Sequence, residues 1–446
     1  MIISTPICDF AAAYESSGVV RLHMPGHKGV SRLGTEGRDL TEVDGADVLY
    51  DAQGIILESE QNAQKLFDTG LTLYSTEGSS LCIRAMLYLI CLHAKQQGRK
   101  AVIAAARNAH KVFMTAAALL DVDIRWLFPK ESGSVVSCAL DLADVERVLR
   151  DDRPAALYVT SPDYLGNVAD ISALSALCRQ YGALLAVDNA HGAYLRFLPK
   201  SRHPIHLGAD LCCDSAHKTL PVLTGGAYLH ISYNAPELLK THAQNALSLF
   251  ASTSPSYLIL QSLDAANRYL ADGYQAKLAA LSASLNAAKA QLAAYGYAVL
   301  GDEPLKLTLA SKAIGWRGDE LAAHLQSLGM MVEFADPDFV VMMFTPENAS
   351  AIDPLTRALC VLDKRPPISS KSPVLSKPVQ RMTPREAVLS PQQRIPVAQA
   401  QGRILAAASV NCPPAVPIVV CGEVIDQSAI ECFRYYGIEH VYVVKE

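Results

Sequence analysis

From residue 101 onward, short unbroken apolar runs alternate with stripes of apolar residues at helical spacing. AVIAA (101–105), DIRWLF (123–128), AALYVTS (155–161), ALLAVDNA (183–190), LCCDSA (211–216) and GAYLHI (226–231) read as strands. Between them, HKVFMTAAALL (110–120), LADVERVLR (142–150) and ISALSALCRQYG (171–182) read as helices. Strands without polar alternation, separated by helices, predict an α/β fold with a mainly parallel sheet covered on both faces. Upstream, 54–69 and the strongly apolar 80–97 read as helices, the second beginning just after the cap candidates Ser79 and Ser80. Residues 1–50 carry Gly26, Gly29, Gly34 and Gly37, with His23, His27 and Lys28 among them, and read as an irregular arm with a short helix.

Beyond the sheet region the pattern changes. Residues 255–296 are helical and rich in Ala and Leu, which suits a connection between a large and a small domain. Residues 303–362 mix strands (LKLTLA, FVVMMFT) with helices (LAAHLQSLG, PLTRALCVLD), as in a small α+β domain. Four prolines among Ser and Lys in 363–381 mark a linker or exposed loop. The expected division is an arm over 1–50, a large domain over 51–295, a small domain over 296–362, the linker, and a C-terminal segment over 382–446.

Composition narrows the function classes. With 446 residues, 50% hydrophobic and 19% charged, the chain supplies a large core, and disorder as the main state is excluded. Thirty-nine Lys and Arg against 44 Asp and Glu leave a formal charge of −5, which argues against a dedicated nucleic-acid binder. Eleven scattered cysteines without a CxxC pair predict a reducing compartment. The first residues lack a basic region followed by an apolar run, and no uncharged apolar stretch of about 20 residues occurs, so neither secretion nor a membrane span is expected. The expected setting is the cytoplasm.

The chemistry-bearing residues sit just past strand ends, where open α/β sheets place ligands. Asp188 ends one strand, and Lys218 follows a later one within DSAHK. A partly desolvated lysine is a nucleophile toward an aldehyde, and a carboxylate paired to a pyridine nitrogen keeps that ring cationic and electron-withdrawing. Read singly, Asp188 could equally be a cap or ion-pair partner and Lys218 a solvated lysine. Ser75-Thr76-Glu77-Gly78-Ser79-Ser80 precedes a helix and would form a phosphate cup at its N-terminus, although an ordinary capped helix has the same look. There is no GxxxxGK[ST] and no GxGxxG after the early strands, so neither a P-loop nor a dinucleotide fold is indicated. His110 could stack on a planar ring or simply start a helix. His191 and His217 lie near the same sheet edge, but no HExxH or structural-zinc spacing appears and no metal is expected.

These pieces resemble the fold-type I, pyridoxal-phosphate-dependent Orn/Lys/Arg decarboxylase family, in its short bacterial form without an N-terminal wing domain. The resemblance is carried by LHMPGHKG (22–29), TEVDGADVLY (41–50), STEGSS (75–80), ARNAHK (106–111), SPDYLGNVAD (161–170), VDNAHGAYL (187–195), DSAHKTLPVLTGGAYLH (214–230), STSPSYLILQSLD (252–264), MTPREA (382–387), GRILAA (402–407) and PPAVP…GE (413–423), in family order. It implies a seven-stranded large domain and decarboxylation of a basic L-amino acid (arginine, lysine or ornithine, with a lean to arginine). The reaction would run through a Lys218 aldimine and a quinonoid. An aminotransferase, another lyase or a decarboxylase of a non-basic amino acid is the alternative on this scaffold. A cofactor-fold protein acting only as a partner or scaffold is a further alternative.

By the same resemblance, Lys218, His217, Asp188 and His110 are the catalytic set. Gly78, Ser79, Ser80, His110, Asp188, His191, Ser215, His217, Lys218 and Thr253 would hold pyridoxal 5′-phosphate. Ser252-Thr253-Ser254 and the HMPGHKG arm would serve the neighbouring subunit, which implies a homodimer or a higher assembly with shared sites. Arg385 is a candidate contact. Glu77, Asn189 and Ala415 depart from the family pattern.

Overall fold

In the computed structural model, residues 3–129, 139–370, 372–412 and 416–445 are described. Proline 413, proline 414 and Ala415 of the late motif lie outside them. The chain forms two compact units, residues 1–99 with 184–277, and residues 100–183 with 278–446.

Seven short strands make the main sheet: β1 Leu71–Ser75, β2 Val102–Ala106, β3 Asp123–Leu127, β4 Ala156–Thr160, β5 Leu184–Asp188, β6 Leu211–Asp214 and β7 Ala227–Ile231. Their order is β1-β7-β6-β5 in the first unit and β4-β2-β3 in the second. In the second unit β2 pairs in parallel with β3 and β4. In the first unit β5 and β6 are parallel, while β7 runs antiparallel to both β6 and β1. The sequence runs for β2 to β7 match these strands within a residue or two. β1 was not read from the sequence: LTLYS is only five residues long, set between a helix and a glycine turn. Every residue of β5 is buried, and sequestering each such Leu or Val side chain is worth about 1.5–3 kcal/mol. That burial explains why the strand has no polar face.

Helices of the first unit include Pro6–Ser16, Ile55–Phe67, Gly78–Gln96 and Tyr257–Ala271. The last is capped by Ser256, whose side chain accepts the Ile259 N–H. Residues 255–296 hold two helices, not one, because Gly273 at φ +70° separates Tyr257–Ala271 from Tyr274–Tyr295. Two carboxylates organise the arm. Glu36 accepts the N–H groups of Arg32, Leu33, Gly34 and Thr35. Asp47 accepts those of Val48, Gln53, Gly54 and Ile56. Burial works against both charges, but these N–H donors outweigh it and hold both carboxyls below the usual range.

In the second unit, β8 Ala298–Leu300, β9 Lys306–Ala310, β10 Phe334–Ala335 and β11 Phe339–Met343 form an antiparallel sheet in the order β10-β11-β9-β8. β12 Gln392–Pro396 pairs with β15 His440–Val444, and β13 Ser409–Cys412 with β14 Val416–Val420. One apolar cluster unites Leu165, Phe334, Phe339 and Val341 with Ile418, Ile430, Phe433 and Val443, so the last segment shares a core with the four-stranded sheet. Among the described residues, no helix is long and apolar enough to cross a membrane.

Candidate active site

The C-terminal ends of β1, β5 and β6 carry the expected residues of the first unit. β1 ends at Ser75, and the chain turns through Thr76 and Glu77 into the helix Gly78–Gln96. The first amides of a helix have no acceptor within it, so the N–H groups after Gly78 are available to an anion. Gly78 N–H itself donates to Gly225 O at 2.7 Å. That bond ties the cup to the loop after Lys218. Gly225 has φ +102°, and a Cβ there would lie 2.8 Å from Thr76 O, so only glycine fits the seam. In front of Gly78, nothing lies within 4 Å of the position a Cβ would take. Ser79 and Ser80 are half-buried beside it, and Ser215 Oγ donates to Ser79 Oγ at 2.8 Å.

Asp188 ends β5 and is 2% exposed. Its Oδ1 accepts the Ala190 N–H at 3.1 Å and faces Cys213 Sγ at 3.7 Å. Three residues on, His191 is buried, and its Nε2 lies 3.1 Å from Lys218 Nζ. Lys218 sits in the short helix Ala216–Thr219, which follows β6 and Ser215. His217 donates Nδ1–H to Gly226 O at 3.0 Å. Burial pushes its pKa down, the Gly226 carbonyl pulls it partly back, and the Lys218 charge adds to the lowering.

The first unit thus links Ser79 to Ser215 and His191 to Lys218, with Asp188 at the end of β5 three residues before His191. Thr253 is exposed, and the loop it belongs to is fastened by Ser252 N–H donating to Glu77 Oε1 at 2.7 Å. His110 belongs to the second unit, where it caps the helix Lys111–Leu120: its Nδ1 accepts the Val112 N–H at 3.3 Å. Arg385 is exposed, and its Nη1 donates to Leu119 O at 2.9 Å at the end of that same helix.

Sequence reasoning missed a buried cluster around Asp214. Asp214 Oδ2 lies 3.0 Å from His203 Nε2 and 3.3 Å from His230 Nε2, with all three side chains fully buried. Among the described residues this is the one group whose ligand atoms are close enough to hold a metal ion. His203 lies in a loop and His230 in β7, so no spacing could have announced it.

The donor set suits a phosphorylated pyridine aldehyde. It offers open space before a helix N-terminus with two hydroxyls, a buried carboxylate, and a lysine amine on the same sheet edge. Comparison with known proteins agrees. A family model described as Orn/Lys/Arg decarboxylase, major domain, matches residues 5–294, and the C-terminal domain of that family matches residues 369–440. A protein named arginine decarboxylase from Bacillus subtilis is 29% identical, covering 96% of this chain and 92% of its own length. Another of that name from Halalkalibacterium halodurans is 27% identical, covering 96% and 93%. The solved structure of Francisella novicida lysine decarboxylase superposes with a TM-score of 0.78 at 16% identity, covering 99% of this chain and 81% of that one, which shows a shared fold.

Proposed function

The chain belongs to the Orn/Lys/Arg decarboxylase family, whose members are pyridoxal-phosphate-dependent enzymes, and on that premise we propose that it removes the carboxyl group of a basic L-amino acid, arginine first, giving the amine and CO₂. The observation that carries the chemistry is Lys218 Nζ at 3.1 Å from His191 Nε2, on the sheet edge that also holds Asp188 and the Ser79–Ser215 cup. The lean to arginine rests on the relatives of that name, which match this chain nearly end to end.

When bound, pyridoxal phosphate accepts the electron pair released as the Cα–carboxylate bond breaks. The chain does the rest. The amides after Gly78, with the Ser79, Ser80 and Ser215 hydroxyls, bind the phosphate. Asp188, its orientation fixed by Ala190 N–H, keeps the pyridine nitrogen protonated. His110, held at Nδ1 by Val112, offers its ring face for stacking. Lys218 would hold the cofactor through its aldehyde carbon, and its amine would be the group that delivers a proton to Cα. We give that proton to Lys218 because His217 commits its Nδ1–H to Gly226 O.

The active unit is proposed as a homodimer with shared sites, acting in the cytosol. Val20, Leu22, Met24 and Leu33 of the arm are each at least 70% exposed, more apolar surface than a free arm would show to water. Thr253, exposed on its own chain, is assigned to the partner's phosphate. Purified protein should release CO₂ and the matching amine from one of arginine, lysine and ornithine. A keto acid product, or release only from a non-basic amino acid, would overturn the reading.

A further inference from the structure

β5 and β6 pair with Asp188 opposite Cys213, and Asn189 N–H continues the ladder to Cys213 O at 2.9 Å. Successive side chains of a strand point to opposite faces. One step past the pair, Asn189 and Asp214 therefore meet on the face away from Asp188, and Asn189 Nδ2 donates to Asp214 Oδ1 at 2.7 Å. Both residues are fully buried. Asp214 Oδ2 takes Nε2–H from His203 and His230. His230 Nδ1 in turn lies 2.9 Å from Thr72 Oγ1, which lies 2.6 Å from Thr69 Oγ1. A chain of donors thus runs from β1 through β7 to the carboxylate, and across to the residue that follows Asp188.

Burial alone would raise the Asp214 pKa, but His203 and His230 outweigh it and hold the carboxyl well below the usual range. The group is a buried anion with every donor supplied by fixed side chains. Charge-assisted bonds of this kind are about twice as strong as neutral ones. Its last donor, Asn189, closes the turn 188–192: Asn189 O accepts Gly192 N–H at 2.7 Å. The Asn189 amide seats against Gly192, where a Cβ would lie 1.9 Å from its Oδ1. That turn carries Asp188 at one end and His191, the neighbour of Lys218, near the other.

We propose that the His203–Asp214–His230 cluster, acting through Asn189, is a positioning device that fixes the turn bearing Asp188 and His191. The inference about Asp188 rests on the function proposed above, whereas the inference about the turn does not. The test compares Asp214→Asn and Asn189→Ala with Ser59→Ala, a control buried in a separate set of bonds to Asp264 and Tyr74. In cofactor-free protein, amide exchange across 189–192 should rise about tenfold or more in the first two variants and stay at the wild-type level in the control. With cofactor bound, the pH midpoint of the visible absorbance band should shift by about half a unit or more, and kcat should fall about tenfold with KM nearly unchanged. Unchanged exchange in Asn189→Ala overturns the proposal, and that variant alone decides it if Asp214→Asn does not fold. Faster exchange with an unmoved midpoint and kcat also overturns it. Faster exchange in a protein whose wild type shows no cofactor band upholds the turn and refutes the cofactor reading instead.

Discussion

Arg107 and Glu423 define the sharpest stability test. Arg107 follows β2 and lies three residues before His110, while Glu423 belongs to the C-terminal segment. The guanidinium meets the carboxylate in a fork, at 2.8 Å and 2.7 Å, with the side chains 4% and 2% exposed. Arg107 Nη2 also donates to Ile418 O, and Glu423 Oε2 also accepts Val420 N–H. Trp126 and Phe128 lie against the guanidinium. Glu423→Ala leaves a buried cation and a buried amide without their acceptor, a loss of about 3–5 kcal/mol for breaking a buried pair. Carried into local opening, that is roughly 140- to 4,000-fold faster amide exchange, at about 1.4 kcal/mol per decade. Exchange should quicken in 107–112 and 416–424 together, because one bond set holds both. The double variant Arg107→Met with Glu423→Leu should recover most of the loss, since no charge then stays buried alone. Slower than tenfold acceleration in Glu423→Ala, or acceleration of 416–424 with 107–112 untouched, would refute the claim that the C-terminal segment anchors the His110 loop.

Other outcomes follow from the same geometry. Lys218→Ala should abolish turnover with the fold intact by circular dichroism, and borohydride reduction of the wild type should fix the cofactor on the peptide containing Lys218 and on no other lysine. Asp188→Asn should still bind cofactor but decarboxylate about 100-fold more slowly, the scale of losing one preorganised electrostatic partner; a near-wild-type rate in steady-state kinetics would show that another group protonates the ring. Glu60, fully buried, is pushed up from 4.5 to about 8 by desolvation, partly offset by the Tyr74 N–H and reinforced by the Asp47 charge. With its folded value raised, Glu60 contributes stability that is present below about pH 4.5 and lost as pH rises through about 8. Glu60→Gln should flatten that alkaline decline in thermal unfolding at pH 5 and pH 9, and an unchanged slope would remove Glu60 as its source.

What the sequence made legible was set by range. Buried strands such as ALLAVDNA declare themselves because covering both faces demands unbroken apolar runs, and helices such as ISALSALCRQYG declare themselves by their stripe. The cap on that helix, Asp170 accepting the Ala173 N–H, emerged only in the structure. β1 stayed hidden because its pairing with β7 lies over 150 residues away and its own run is only five residues long. Among candidate site residues, Lys218 and Asp188 are proposed from local motifs. Asp214 stood inside one of those motifs, yet its meaning depends on His203 and His230, which reach it from a loop and another strand. Arg107 and Glu423 likewise stood in two separate motifs, and only folding over 316 positions joins them.

Two departures from the family pattern acquire a shared logic. Glu77 beside a phosphate cup should repel the anion the cup is built for. Its side chain makes no capping bond to the helix it precedes, and Oε1 instead takes the Ser252 N–H. The charge is spent on fastening the loop that carries Thr253, whose own bend is held by Ser254 N–H on Ser252 Oγ. Asn189 stands where an acidic residue is common, directly after Asp188. An aspartate there would set a second buried carboxylate against Asp214, at the 2.7 Å where an amide now donates. A carboxylate at 214 therefore demands a donor at 189, just as a glutamate at 77 demands a backbone N–H from the 252 loop. Each unusual side chain is matched by a partner distant in sequence, so neither departure weakens the assignment of Lys218, Asp188 and the Ser79 cup. A substitution at one of these positions should be judged with its partner, because replacing Asn189 or Glu77 alone strands the group that now answers it.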